Sequence, residues 1–285
     1  NFERTVFEHI FFTHDSYGGG AISFSYDVDE NRFTTVNCKH CRFLNVSSKN
    51  GGGGAIYYNA PQKLYIENTT FIQTSTKQSN QVGGAIYVKY QSGMMPIIIK
   101  DCIFEDASSA KGGAIYIEWN SQTTSGITIS GCTFKRTNAN TNAHSIMITG
   151  SLSNDVSINN CKFLDCGSNE DSFAIYLDTP NLDFSFNQII FSQQEKSCGC
   201  VNLTKNVKPT IKGNLFQNAK FSDYVAQGNS NRWTSAGIHC TSCSELTKLI
   251  IENNTFNIIR GNNQGRCISI ININNNNKDA VIFKN

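Results

Sequence analysis

Three kinds of residue in this chain have chemistry to offer: eleven cysteines, four Asn-x-Ser/Thr sequons, and a tyrosine that returns at a regular interval. Cys38-x-x-Cys41 and Cys240-x-x-Cys243 have the spacing of zinc ligands. A tetrahedral zinc site needs four convergent ligands, and the first pair falls on strand positions, so no metal and no cofactor is expected. The cysteine count is odd, which leaves at least one thiol free or paired outside the chain. Cys41, Cys102, Cys132 and Cys161 each stand two residues before a Phe, in one repeated column. Stacked strands would space them by about 4.8 Å, but with parallel Cβ vectors poorly aimed for a bridge. They are expected to be buried free thiols that behave as small hydrophobes. The disulfide candidates lie off that column: Cys240 with Cys243, and Cys166 with Cys198.

Tyr57, Tyr87, Tyr116 and Tyr176 share one place in the phrase Ala-Ile-Tyr, with Met147 between the last two. Alternation along a strand turns this position outward, because the Ile before it turns inward. An outward tyrosine stripe suits stacking against sugar rings or a protein partner. The plainer alternative is that stacked aromatics stabilise neighbouring strands. The sequons at Asn45, Asn68, Asn202 and Asn253 are candidate N-glycosylation sites and fit a secreted eukaryotic protein. Catalytic evidence is thinner. Glycoside hydrolysis needs two carboxylates about 5 to 9 Å apart, and no repeated column supplies two acids on adjacent coils. Asp27, Asp29 and Glu30 share one loop but lack the spacing and Gly of a calcium loop. His9, His14, His40, His144 and His239 form no pair at metal spacing. Whether the chain is an enzyme is left open, leaning to no, and no catalytic residue is nominated.

What positions these residues is a repeat. The phrases "GGGAISF", "GGGGAIYY", "VGGAIYVK", "KGGAIYIE" and "SFAIYLD" recur about every 31 residues. Aligned on their Ile, the column reads Ile22, Ile56, Ile86, Ile115, Ile146, Ile175, Val201, Ile238 and Ile268, β-branched throughout. A second column is the Phe of Cys-x-Phe and its variants, at 43, 71, 104, 134, 163, 191, 216 and 256. Five residues before each stands a third: Cys38, Ile66, Ile99, Ile129, Ile158, Phe186, Ile211 and Ile251. Three residues before each Phe come corner residues, of which Asn68, Asp101, Gly131, Asn160, Gly213 and Asn253 tolerate a left-handed backbone. Three short strands per coil and no helical period predict an all-β, right-handed, single-stranded parallel β-helix of about nine coils. The whole of 1–285 is one domain, a rod roughly 43 Å long at the usual strand spacing. The excursion Lys220–Ser235 is the longest loop.

The repeated Gly-Gly-Ala-Ile phrase resembles that of the polymorphic outer-membrane proteins of chlamydiae and of related repeat families in protist surface proteins. The resemblance covers most of the chain through a short motif. The Phe-x-x-Asn phrase of the chlamydial family is not regular here, and Cys-x-Phe takes its place; no autotransporter barrel is present. What the resemblance implies is a β-helix adhesin outside the cell or at its surface; it carries over no functional residue.

The net charge of +2 gives no basic face for nucleic acid. No apolar run of about 18 residues spans a membrane. The expected role is structural and adhesive: part of a larger rod, fibre or surface assembly, binding through lateral faces. Both ends of the sequence read as coils in progress without a cap, so partners are expected to be copies of itself or other proteins at open ends, with glycans as a further class of partner. The alternatives are a glycan-binding module using the tyrosine stripe, and a polysaccharide lyase or glycoside hydrolase.

Overall fold

The computed structural model describes residues 1–13, 18–25, 35–60, 62–90, 96–119, 126–141, 143–150, 155–167, 173–179, 181–192, 199–204, 208–219, 237–241, 246–257, 259, 267–270 and 281–284. They form a parallel β-helix. Three parallel sheets run its length: a ten-stranded first sheet from Phe2–Glu3 to Val281–Lys284, a twelve-stranded second sheet, and a nine-stranded third sheet from Ile22–Ser25 to Ile268–Ile270. Among the described residues there is no helix long and apolar enough to cross a membrane, which says nothing of spanning strands.

The third sheet follows the Ala-Ile-Tyr phrase residue for residue. Ile22, Ile56, Ile86, Ile115, Ile146, Ile175, Val201, Ile238 and Ile268 are in register from rung to rung. Its Ile residues from 56 to 238 are almost wholly buried. One rung cannot cover its own apolar face; its neighbours do so. The glycines before the phrase are required twice over. Gly53, Gly83 and Gly112 have φ of +74°, +65° and +61°, the left-handed region that a side chain resists. The next residue is pressed between rungs: a Cβ on Gly54 would lie 2.0 Å from the Gly84 carbonyl oxygen.

In the second sheet, Phe7, Phe43, Phe71, Phe104, Phe134 and Phe163 stack face to face, with centroids 4.7–4.9 Å apart and planes within 8°. Each pair adds about 0.5–1.5 kcal/mol beyond the area it buries.

One coil departs from the expected columns. Ile189, not Phe191, pairs with Phe163 and Phe216. In the first sheet Phe184, not Phe186, pairs with Ile158 and Ile211. The left-handed corner of this coil is therefore Phe186 (φ +56°), not Gln188. The other corners stand where the spacing put them, at His40, Asn68, Asp101, Gly131, Asn160, Gly213 and Asn253, all with positive φ. Among the described residues a second left-handed corner stands two residues after Phe7, Phe43, Phe71, Phe104, Phe134, Phe163 and Phe216, at His9, Asn45, Gln73, Asp106, Arg136, Asp165 and Asn218.

Candidate functional site

The chemistry-bearing residues fall on three lines along the rod. The first is internal and begins one residue after the first corner. Reading along the axis it holds Cys41, Thr69, Cys102, Cys132, Cys161, Asn187, Asn214 and Asn254. The corner turns each of these side chains back toward the main chain. The Sγ of Cys41, Cys102, Cys132 and Cys161 donates to the carbonyl two residues back, at 3.2–3.3 Å. All four are free and buried, and burial pushes the Cys102 thiol well above its usual value. Thr69 Oγ1 donates to the Glu67 carbonyl at 3.0 Å and accepts from the Cys41 amide at 3.3 Å.

Further along, amides replace thiols. Asn214 Nδ2 donates to the Phe184 carbonyl at 2.8 Å and to Asn254 Oδ1 at 2.9 Å. Its Oδ1 accepts from the Asn187 amide at 2.8 Å and from Asn187 Nδ2 at 3.1 Å. Asn187 Oδ1 in turn accepts from the Cys161 amide at 2.9 Å, so the amide ladder is joined to the thiol column. Sequence reasoning missed this ladder. Its signal was Asn-x-Phe at 214 and 254, standing where other coils write Cys-x-Phe.

Cys166 corrects an expectation. It is a free thiol, buried in the core, with Sγ donating to the Phe134 carbonyl at 3.4 Å and the Leu164 carbonyl at 3.6 Å. With its thiol free and held to these carbonyls, the expected pairing with Cys198 is not made. Cys240 is disulfide-bonded and lies on the inner face of the third sheet between Leu203 and Ile270. Cys198 and Cys243 lie outside the described residues, as do His14, Asp27, Asp29, Glu30 and the excursion 220–235.

The second line is the tyrosine stripe. Tyr57, Tyr87, Tyr116, Met147 and Tyr176 do share one outer column of the third sheet. The column is not an open platform. Tyr57 is 4% exposed and Tyr87 6%, while Tyr116 and Tyr176 are half-buried. The glycine-rich segment before each strand explains the cover. Gly52 lies against the ring of Tyr87, where a Cβ would come within 2.1 Å of Cδ1. The rings meet one another edge-on or tilted, at 5.3 Å for Tyr57 with Tyr87 and 5.5 Å for Tyr87 with Tyr116. Hydroxyls engage the next rung: Tyr87 donates to Glu118 Oε2 at 2.7 Å, Tyr116 accepts from Thr149 at 3.3 Å, and Tyr176 accepts from Thr204 at 3.2 Å. Burial, followed by the bond to Glu118, raises the Tyr87 phenol above its ordinary value. The stripe at Tyr57 and Tyr87 is thus internal packing, and stacking a sugar ring there would require removing the glycine segment.

Beyond Tyr176 the same column holds Asn202, then His239. His239 is 3% exposed and stacks on Phe173, centroids 5.7 Å apart. Burial lowers its value from 6.5 to about 4. Neither His239 Nδ1 nor Asn202 Oδ1 has a hydrogen-bonding partner among the described residues.

The third line is the outside of the corners. Three sequon asparagines stand there exposed, at Asn45, Asn68 and Asn253, each with positive φ. Neighbouring corners carry ion pairs between rungs: Arg136 donates to both carboxylate oxygens of Asp106 at 2.8 Å and to Glu105 at 2.6 Å. Glu67 lies within 4.0 Å of both Lys39 and Lys100. Exposed pairs of this kind contribute about 0–1 kcal/mol each. They join successive rungs, and where two carboxylates meet, as Glu105 with Asp106 or Glu67 with Asp101, a shared Arg136 or Lys100 lies between them at the surface.

No family model, no curated protein and no solved structure matches the chain.

Proposed function

We propose that this chain is a structural and adhesive rod of an extracellular or cell-surface assembly, and that it works by holding its lateral faces at fixed spacing for partner proteins. One observation carries the reading: like side chains repeat in register along all three sheets, so each rung is braced by the next. The stacked Phe residues, the Cys–Asn column and the tied tyrosines all direct their chemistry along the axis, from rung to rung. Side chains committed in this way stiffen a rod. The corners, which face outward, carry polar and charged groups suited to a wet surface and to contacts with protein.

The test is made on cells of the source organism with an antibody raised against the folded rod. Labelling of intact, unpermeabilised cells, together with rods or filaments in electron micrographs of material released from them, supports the reading. Label that appears only after permeabilisation sinks it. A depolymerisation screen over acidic polysaccharides tests the enzymatic alternative, and turnover there would displace the structural role.

A further inference from the structure

The four sequons are equivalent in sequence and unlike in space. Asn68 and Asn253 occupy the same corner column, between the first and second sheets, with φ of +48° and +51°. Asn45 stands at the corner two residues beyond Phe43, with φ of +51°. All three are exposed. The side-chain amides of two of them engage other surface groups: Asn45 Nδ2 lies 3.0 Å from His9 Nδ1, and Asn253 Nδ2 3.4 Å from Glu252 Oε1. At such a corner a large group on Nδ2 extends into solvent and displaces no strand.

Asn202 is different. It lies within the strand Gly199–Thr204, paired with Tyr176 on one side and His239 on the other. Its Oδ1 is fully buried. The hydroxyl of its sequon partner Thr204 donates to Tyr176, and Thr204 is 9% exposed. Asn202 as a whole is half-buried, but with Oδ1 buried the side-chain amide is held to the sheet, and a sugar on Nδ2 would have to emerge between Tyr176 and His239 of the adjoining rungs.

We infer that Asn45, Asn68 and Asn253 are N-glycosylated and that Asn202 is a sequon the fold forbids. The inference rests on the extracellular reading above, since only a chain in the secretory route meets the transferase. In the reaction a bond forms between asparagine Nδ2 and C1 of an oligosaccharide. The bond from C1 to the diphosphate of a lipid-linked donor breaks, the lipid diphosphate leaves, and the amide proton passes to a base of the host transferase. Transfer precedes folding, so Asn202 can be reached on the nascent chain; a chain modified there cannot then close the third sheet over it. Asn68 and Asn253 lie at the corner before the second sheet, and Asn45 at the bend within its strand Arg42–Ser48. Their glycans would cover that sheet and leave protein contacts to the other two.

The experiment supplies its own leader and host, so it does not depend on where the native protein resides. The chain is expressed with a secretory leader in a eukaryotic cell line, and the monodisperse secreted fraction is recovered. Glycans are released with an amidase in heavy-oxygen water, which marks each formerly glycosylated Asn as labelled Asp for peptide mapping. The expected map has label at positions 45, 68 and 253 and none at 202. Glycan on Asn202 confined to a retained, misfolded pool also supports the inference. Label at 202 in the folded secreted fraction, or bare corners there, overturns it. That failure is distinct from failure of the surface reading, which the labelling of source cells decides.

Discussion

Replacing Asn214 by Ala removes the centre of the amide ladder. The side chain is 1% exposed. Its loss leaves the Asn187 amide N–H without its acceptor at 2.8 Å and the Phe184 carbonyl without its donor at 2.8 Å. Each buried group left unpaired costs about 1–3 kcal/mol, so the variant should lose about 3 kcal/mol. Asn214→Cys should lose roughly half of that. The thiol half of the same column shows why: there Cys132 Sγ accepts from the Cys102 amide at 3.5 Å and donates to a carbonyl at 3.3 Å, weaker bonds to equivalent groups. Urea unfolding reads the midpoint, provided the slope is unchanged. Because repeat rods can unfold in parts, hydrogen exchange at the Asn187 amide gives the local answer. That proton should be protected in the parent, faster in Asn214→Cys and fastest in Asn214→Ala. An Ala variant with parental midpoint and a still-protected Asn187 amide would refute the claim that the ladder braces these rungs.

Three further outcomes are expected. His239 is held neutral in the fold, with a value near 4 against 6.5 when free; the unfolded chain therefore takes up the proton first, and stability falls as pH drops below about 6.5, by about 2 kcal/mol at pH 5. The stability of a His239→Gln variant should lack this slope, and parallel curves for the two proteins between pH 7 and 5 would sink the assignment. Phe186 holds a left-handed corner with 54% of its surface exposed; Phe186→Asn should stabilise by about 0.5–1 kcal/mol, since an L side chain in that region costs roughly 1–2, and a lower melting temperature would mean that the ring's cover of Gly213 outweighs the strain. Native alkylation followed by site-resolved mass spectrometry should find half-buried Cys267 modified before buried Cys102, Cys166 and Cys200; equal rates would show that the core opens as a whole.

The third sheet was legible in the sequence because two constraints coincide there. The glycine pair is demanded by φ and by contact between rungs, and a β-branched residue follows it at a fixed distance. The coil around Phe184–Ile189 was not legible by the same reasoning. Phe186 and Phe191 imitate the expected pair five residues apart, but register is set by what the neighbouring rungs present. Asn187 must lie on Asn214, which moves Ile189 under Phe163 and pushes Phe186 out to the corner. Reading Asn187-Gln-Ile189 as the equivalent of Asn214-Leu-Phe216 would have revealed this. The second line of corners carries a fainter mark: His9, Asn45, Asp106, Asp165 and Asn218 are of types that tolerate the left-handed region, but Gln73 and Arg136 adopt it too. Alternation correctly gave the side of the sheet on which the tyrosines lie. It could not show that the chain doubles back over that side, which takes Tyr57 and Tyr87 out of water.

The columns also explain one another. From Phe7 to Phe163 the rod has an unbroken aromatic stack, and over that stretch the neighbouring column needs only Cys or Thr, whose bonds to the backbone are weak. At Ile189 the stack is interrupted, and from that rung onward the column is Asn. Phe216 and Phe256 resume the stacking at 4.9 Å, but as a single pair separated from the long stack. The amide ladder begins on the rung where the ring is missing and runs through Asn254. Its bonds, about 0.5–1.5 kcal/mol each in net terms, are of the same order as the ring contacts they stand in for. Two chemistries thus serve one mechanical purpose, holding each rung to the next. The change from thiol to amide falls at the rung where Ile189 replaces the ring, and the amides continue where Phe216 and Phe256 restore it.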